Sequence, residues 1–180
     1  MYTPRKTKLR SFLILLILFA FALATAAQAD EDIYSLKSAF IYNFTKYITW
    51  PTDDNPNEGD FIIGVVGSSP IIASLQQIAA NSTVKNKRLI IRVFDTPAEI
   101  RYCNILFIPS GTPFLLRSIL AKTGPGTLTI SEQRGFAEEG TALNFVLFNN
   151  KLKFETNLKV LTSAGLKASS QLLKLAILVD

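Results

Sequence analysis

Four short apolar runs, separated by helix-start signals, constrain this chain more than any other feature. Phe61-Ile62-Ile63-Gly64-Val65-Val66-Gly67 is the clearest of them: continuous, too short for a helix, and typical of a strand buried on both faces. Ser68-Ser69-Pro70 follows, with a capping serine and a proline suited to a first helical turn, and predicts a helix to about Ala80. Leu89 to Phe94, Asn104 to Ile108 and Thr127 to Ile130 are the remaining strands. Between them, Thr96-Pro97-Ala98-Glu99 reads as a short helix start, and Thr112-Pro113 opens a helix to about Lys122.

The flanks differ. Ile33 to Ile48 is an amphipathic helix with Leu36, Phe40, Phe44 and Tyr47 near one face, ended by Trp50-Pro51 and followed by a polar loop from Thr52 to Gly59. After Ser131, Ala142 to Phe148 and Leu152 to Glu155 flank Asn149-Asn150-Lys151, the pattern of a hairpin. Asn157 can cap a helical turn that Gly165 breaks, and Ala168 to Val179 reads as an apolar closing helix. The expected architecture is one three-layer α/β domain: a mostly parallel sheet flanked by helices on both faces, with a C-terminal β-hairpin and closing helix.

Residues 1–29 have the layout of a cleavable signal peptide. Arg5, Lys6, Lys8 and Arg10 precede the apolar run Phe12 to Ala24, and Ala27-Gln28-Ala29 is a small-x-small cleavage site. The run has 13 residues, short of the about 20 that a spanning helix needs; an uncleaved anchor is the alternative. The expected domain is then 30–180, in the periplasm of a Gram-negative bacterium. Removing those four basic residues takes the net charge from +5 to +1. No basic stripe remains for nucleic acid; Lys85-Asn86-Lys87-Arg88 reads as a solvated turn. Cys103, the single cysteine, cannot form an internal disulfide and lies in a buried-strand pattern, so a packed thiol is expected.

The chain contains no histidine, which removes histidine-based triads and the common histidine metal sites. No Ser-x-x-Lys motif stands at a helix start. The residues therefore call for no enzyme, cofactor or metal. Binding chemistry fits better. The loops beyond the strands' carboxyl ends, Gly67-Ser68-Ser69-Pro70, Pro109-Ser110-Gly111-Thr112 and Ser131-Glu132-Gln133-Arg134, suggest an anionic-ligand site at Ser68, Ser69, Ser110 and Thr112. Such loops also close without a ligand. Glu155 has two readings: a solvent-facing salt bridge with a lysine, or a buried polar latch, beside Asn144, between hairpin and closing helix.

The ordered set of motifs resembles the YfiR family of bacterial periplasmic proteins. It comprises Leu36-Lys37-Ser38-Ala39-Phe40-Ile41-Tyr42-Asn43-Phe44-Thr45-Lys46-Tyr47-Ile48 with Trp50-Pro51, Val66-Gly67-Ser68-Ser69-Pro70, Cys103-Asn104-Ile105-Leu106-Phe107-Ile108, Gly140 with Asn144-Phe145, Phe154-Glu155-Thr156-Asn157, and Ala164-Gly165-Leu166-Lys167-Ala168-Ser169-Ser170 with Leu172-Leu173-Lys174-Leu175-Ala176. The resemblance implies a repressor that binds the periplasmic sensor domain of a membrane-bound diguanylate cyclase, thereby restraining cyclic-di-GMP and biofilm formation. It also implies that Asn144, Glu155 and Asn157 belong to a regulatory polar core. The chain departs from the best-known branch in having one cysteine, and in Thr156 where an aliphatic residue is usual.

Two hypotheses follow. The first is a non-enzymatic regulator that binds a membrane signalling protein, a diguanylate cyclase or kinase, through the aromatic N-terminal helix or through Leu172, Leu173, Ala176 and Ile177. Ordinary core packing is the alternative role for those residues, and a homodimer the alternative partner. The second is a small-molecule binding protein using Ser68, Ser69, Ser110 and Thr112.

Overall fold

The computed structural model describes residues 33–51 and 59–179. The expected signal peptide and its cleavage site, and most of the 52–59 loop, lie outside the described residues. The N-terminal helix α1 covers 33–47. It stops one residue early because Ile48–Thr49 (β1) pair antiparallel with Lys167–Ala168 (β9), and the Ser169 N–H takes the Tyr47 carbonyl at 2.8 Å.

The alternating region folds as its apolar runs predict. β2 (Asp60–Val66), α2 (Ile71–Asn81), β3 (Thr83–Val84), β4 (Lys87–Phe94), β5 (Ile105–Ile108), α3 (Leu116–Leu120), β6 (Leu128–Ser131), β7 (Leu143–Phe148) and β8 (Lys151–Asn157) follow in order. α4 (Leu158–Ser163), β9, α5 (Ser170–Leu173) and β10 (Ile177–Val179) complete the chain. The main sheet has eight strands in the order β10-β8-β7-β6-β5-β2-β4-β3. β4, β2, β5, β6 and β7 are mutually parallel, while β8 turns back antiparallel to β7. The chain reverses its direction of travel across the sheet between β2 and β5, the switch point of a doubly wound fold.

Alternation along the strands divides two cores. Phe61, Ile63, Val65, Ile105 and Phe107 face the side covered by α1 and α2, where Ile41, Phe44, Ile71 and Leu75 are buried. Ile62, Val66, Leu106 and Ile108 face Leu116 and Ile119 of α3 on the other side. This is the expected three-layer arrangement. Gly64 is required by the second core: a Cβ there would lie 2.6 Å from the Phe94 ring and 3.2 Å from Cys103 Sγ. Asn104 ties strands together, accepting at 2.8 Å from the Ile62 N–H, while its carbonyl accepts from the Trp50 indole at 3.1 Å.

Three expectations are corrected. The closing helix from Ala168 to Val179 does not exist as such: only Ser170–Leu173 is helical, and Ile177–Val179 form an edge strand parallel to β8. Apolar residues around most of the circumference fit a strand as well as a helix, and the free edge of β8 decided between them. The helix expected from Thr112 starts at Leu116, so Thr112 stands in a loop. The hairpin turn is the two residues Asn149 and Asn150, both at positive φ (50° and 57°), and Lys151 already pairs with Phe148. Lys85 and Asn86 make the same kind of turn between β3 and β4, exposed as expected of a solvated connection.

Candidate functional site

β6 and β7 differ in length, and this creates the most distinctive surface. β6 pairs with β7 only at Leu143 and Asn144 and ends at Ser131, whereas β7 continues to Phe148. The β7–β8 hairpin therefore overhangs the carboxyl end of the parallel sheet. A cavity of about 590 Å³ opens beside it. Phe145, Leu147, Leu152 and Ile177 give it an apolar wall. Lys37, Glu132, Arg134 and Glu155 give it charge.

Two polar clusters support this cavity. In the first, the Glu132 side chain is 3% exposed and forms an ion pair with Lys37 of α1. Its other oxygen accepts from the Ser110 N–H at 3.1 Å, the Ser110 hydroxyl at 3.4 Å and the Tyr34 hydroxyl at 3.5 Å. One carboxylate thus clamps α1 and the loop after β5 to the end of β6. In the second cluster, buried Ser131 donates to Asn144 Oδ1 at 2.7 Å and shares a 2.7 Å bond with Thr141. The Asn144 amide donates to Glu155 Oε2 at 2.9 Å. Asn157 lies at the base of the same strand: its amide donates to the Ala137 carbonyl at 3.0 Å, and its Oδ1 caps α4 by accepting the Val160 N–H at 3.1 Å.

Both readings of Glu155 need correcting. It sits half-buried opposite Asn144, as the strand pattern predicts, but its partner is that amide, not a lysine. The predicted link to a closing helix is replaced by β10, whose Ile177 lies in register with Glu155.

The anion-site residues are only partly gathered. Ser68, Ser110 and Thr112 line a second cavity, of about 370 Å³, at the switch point between β2 and β5. Ser69 does not line it: this serine is buried, and its hydroxyl accepts from the Ile71 N–H at 3.4 Å. Asp95 contributes a negative charge to the cavity, and the Ser110 N–H is already given to Glu132. Both features disfavour an anion.

The partner-surface residues divide as well. Leu172 is buried, Leu173 and Ala176 are half-buried, and Ile177 is exposed on the edge strand. Leu172 and Leu175 border a groove of about 560 Å³ against Leu36, Phe40 and Tyr47 of α1. Glu132, Lys37 and Tyr34 form the cluster that sequence reasoning missed. Tyr34 and Lys37 share a face of α1 by their i, i+3 spacing, but Glu132 is 95 residues from Lys37 and only the topology brings it to them.

Two side chains give direct tests. Cys103 is buried, as expected of a packed thiol, and burial pushes its pKa up to about 12. Native protein at pH 8 should therefore leave Cys103 unlabelled by thiol reagents, with stoichiometric labelling in denaturant; rapid native labelling would contradict this packing. Thr156 is fully buried and its hydroxyl has no hydrogen-bond partner among the described residues. Thr156→Val removes that orphaned group at nearly constant volume, so it should raise stability by about 1 kcal/mol. Urea denaturation checks it, and a loss of stability would show that the hydroxyl is satisfied.

Among the described residues, no group of acidic and cysteine side chains could hold a metal ion, and no helix is long and apolar enough to cross a membrane. The strand order β4-β2-β5-β6-β7, with cavities beyond the strands' carboxyl ends, defines a doubly wound α/β domain of flavodoxin-like order. The match of a family profile over residues 34–177 goes further: the chain belongs to the YfiR/HmsC-like family. No curated protein matches it. The family is regulatory and is known for periplasmic control of diguanylate cyclases.

Proposed function

We propose that this protein is a periplasmic regulator that binds the periplasmic sensor domain of an inner-membrane signalling protein and represses it, the target being a diguanylate cyclase or a kinase. The family match over 34–177 carries this reading. The surface supports it: Leu147, Phe148, Leu175, Ile177 and Leu178 are exposed large apolar side chains, all on the hairpin or on the chain after α5. Repression requires that the protein bind the sensor's inactive state more tightly than its active one, because equal affinity shifts nothing.

Small-molecule binding at Ser68, Ser110 and Thr112 is the second reading, and Asp95 weakens it for an anion. The two separate experimentally. Ser68→Asp, at the exposed rim of that cavity, abolishes ligand affinity under the second and leaves partner capture intact under the first. The primary test is capture from gently detergent-solubilised membranes of the protein's own host. Recovery of an inner-membrane protein with a periplasmic sensor and a cytoplasmic cyclase or kinase domain is the expected result. Repeated failure to recover any such protein would overturn the proposal.

A further inference from the structure

The hairpin overhang leaves one stretch of strand half-paired. Phe145 to Phe148 are bonded to β8 on one side, but β6 has ended before reaching them on the other. Alternate residues of a strand direct N–H and C=O to each side, so this edge offers unmet backbone donors and acceptors in line with β6. It is short, and it adjoins the 590 Å³ cavity. Within it, Leu147 and Phe148 are 69% and 57% exposed.

We infer that the open edge of β7 docks an extended, acidic segment of a partner protein by strand addition, and this rests on the reading of the protein as one that binds a protein partner. The charges select the occupant. Lys37 is neutralised by Glu132, whereas Glu155 keeps its negative charge, since the Asn144 amide it accepts from is neutral; three cations outweigh it. Arg134 lines the cavity with no ion pair among the described residues, while Lys151 and Lys153 stand exposed on β8 opposite Phe148 and Val146. Lys151 and Lys153 share the face of Val146 and Phe148, and Leu147 faces the other side, so an added strand that alternates sets its acidic residues on the lysine face and its apolar ones beside Leu147. A second copy of this chain fits poorly. A twofold interface would set the same cations against themselves. An anionic membrane supplies charge but no strand to satisfy both the N–H and the C=O groups of the edge.

The test pans a random display library of extended peptides of about eight residues on the purified protein. Enriched sequences should carry acidic residues alternating with apolar ones. Their affinity should fall about tenfold or more on Arg134→Glu, a surface change that leaves the fold untouched, and likewise on N-methylation of alternate peptide amides. Hydrogen exchange should show new protection at 145–148. Binding indifferent to N-methylation, or enrichment without acidic residues, would overturn the inference. So would protection of 145–148 by phosphatidylglycerol vesicles alone, or by raising the protein concentration alone. Capture of a membrane signalling protein that Arg134→Glu leaves unchanged would overturn this docking mode and spare the proposed function.

Discussion

A Phe44→Ala variant should lose about 4 kcal/mol of stability, the largest effect expected of any single truncation in this domain. Phe44 is 2% exposed and stands where α1 meets the hairpin. Its ring lies 5.0 Å from Phe154, 6.0 Å from Phe145 and 6.1 Å from Phe40, measured between centroids. Truncation removes the transfer energy of the ring, leaves a cavity and breaks three aromatic contacts at once. Phe145 and Phe154 are themselves held in register across β7 and β8, so they cannot collapse into the space without distorting the hairpin. Urea unfolding monitored by circular dichroism measures the loss. A cost near 1 kcal/mol would mean that α1 does not seat on the hairpin as described. The variant should also weaken partner capture, because the overhang is rooted at this contact.

Lys37→Met should cost about 3 kcal/mol, because it leaves the Glu132 carboxylate buried without its cation. The bonds from Ser110 and Tyr34 remain and moderate the loss. The reverse truncation is milder. Lys37 is 13% exposed and can turn its ammonium to water, and Glu132→Gln keeps an acceptor for Ser110, so about 1 kcal/mol is expected. The double variant should recover part of the Lys37→Met loss. Additive losses would show that the two side chains do not interact in solution.

The parallel half of the fold was legible in the sequence because each element carries its own local signal. Phe61 to Val66 is an apolar run of strand length, Ser69 and Pro70 announce α2, and Asn157 caps α4 as its position predicts. The C-terminal segment was not legible, because Leu172 to Val179 is apolar apart from Lys174 and its final form depends on the edge that β8 offers. The same limit hid the centre of the candidate site. Asn144 and Glu155 face each other through hairpin register, which the turn residues fix locally. Lys37, Ser110 and Glu132 meet only because α1, the loop after β5 and the end of β6 converge, and no local pattern encodes that meeting. Thr112 failed as a helix-start residue for a related reason. A Thr-Pro pair permits a helix start without requiring one, and here the chain waits until Leu116.

Cyclic-di-GMP synthesis by a cyclase captured with this chain, reconstituted in vesicles with its periplasmic domain accessible, tests the central claim most directly; for a captured kinase the same assay reads autophosphorylation in place of synthesis. Adding the purified protein should lower synthesis in a saturable manner, and Arg134→Glu should do so only at higher concentration. Synthesis unchanged at concentrations that saturate binding would contradict the account.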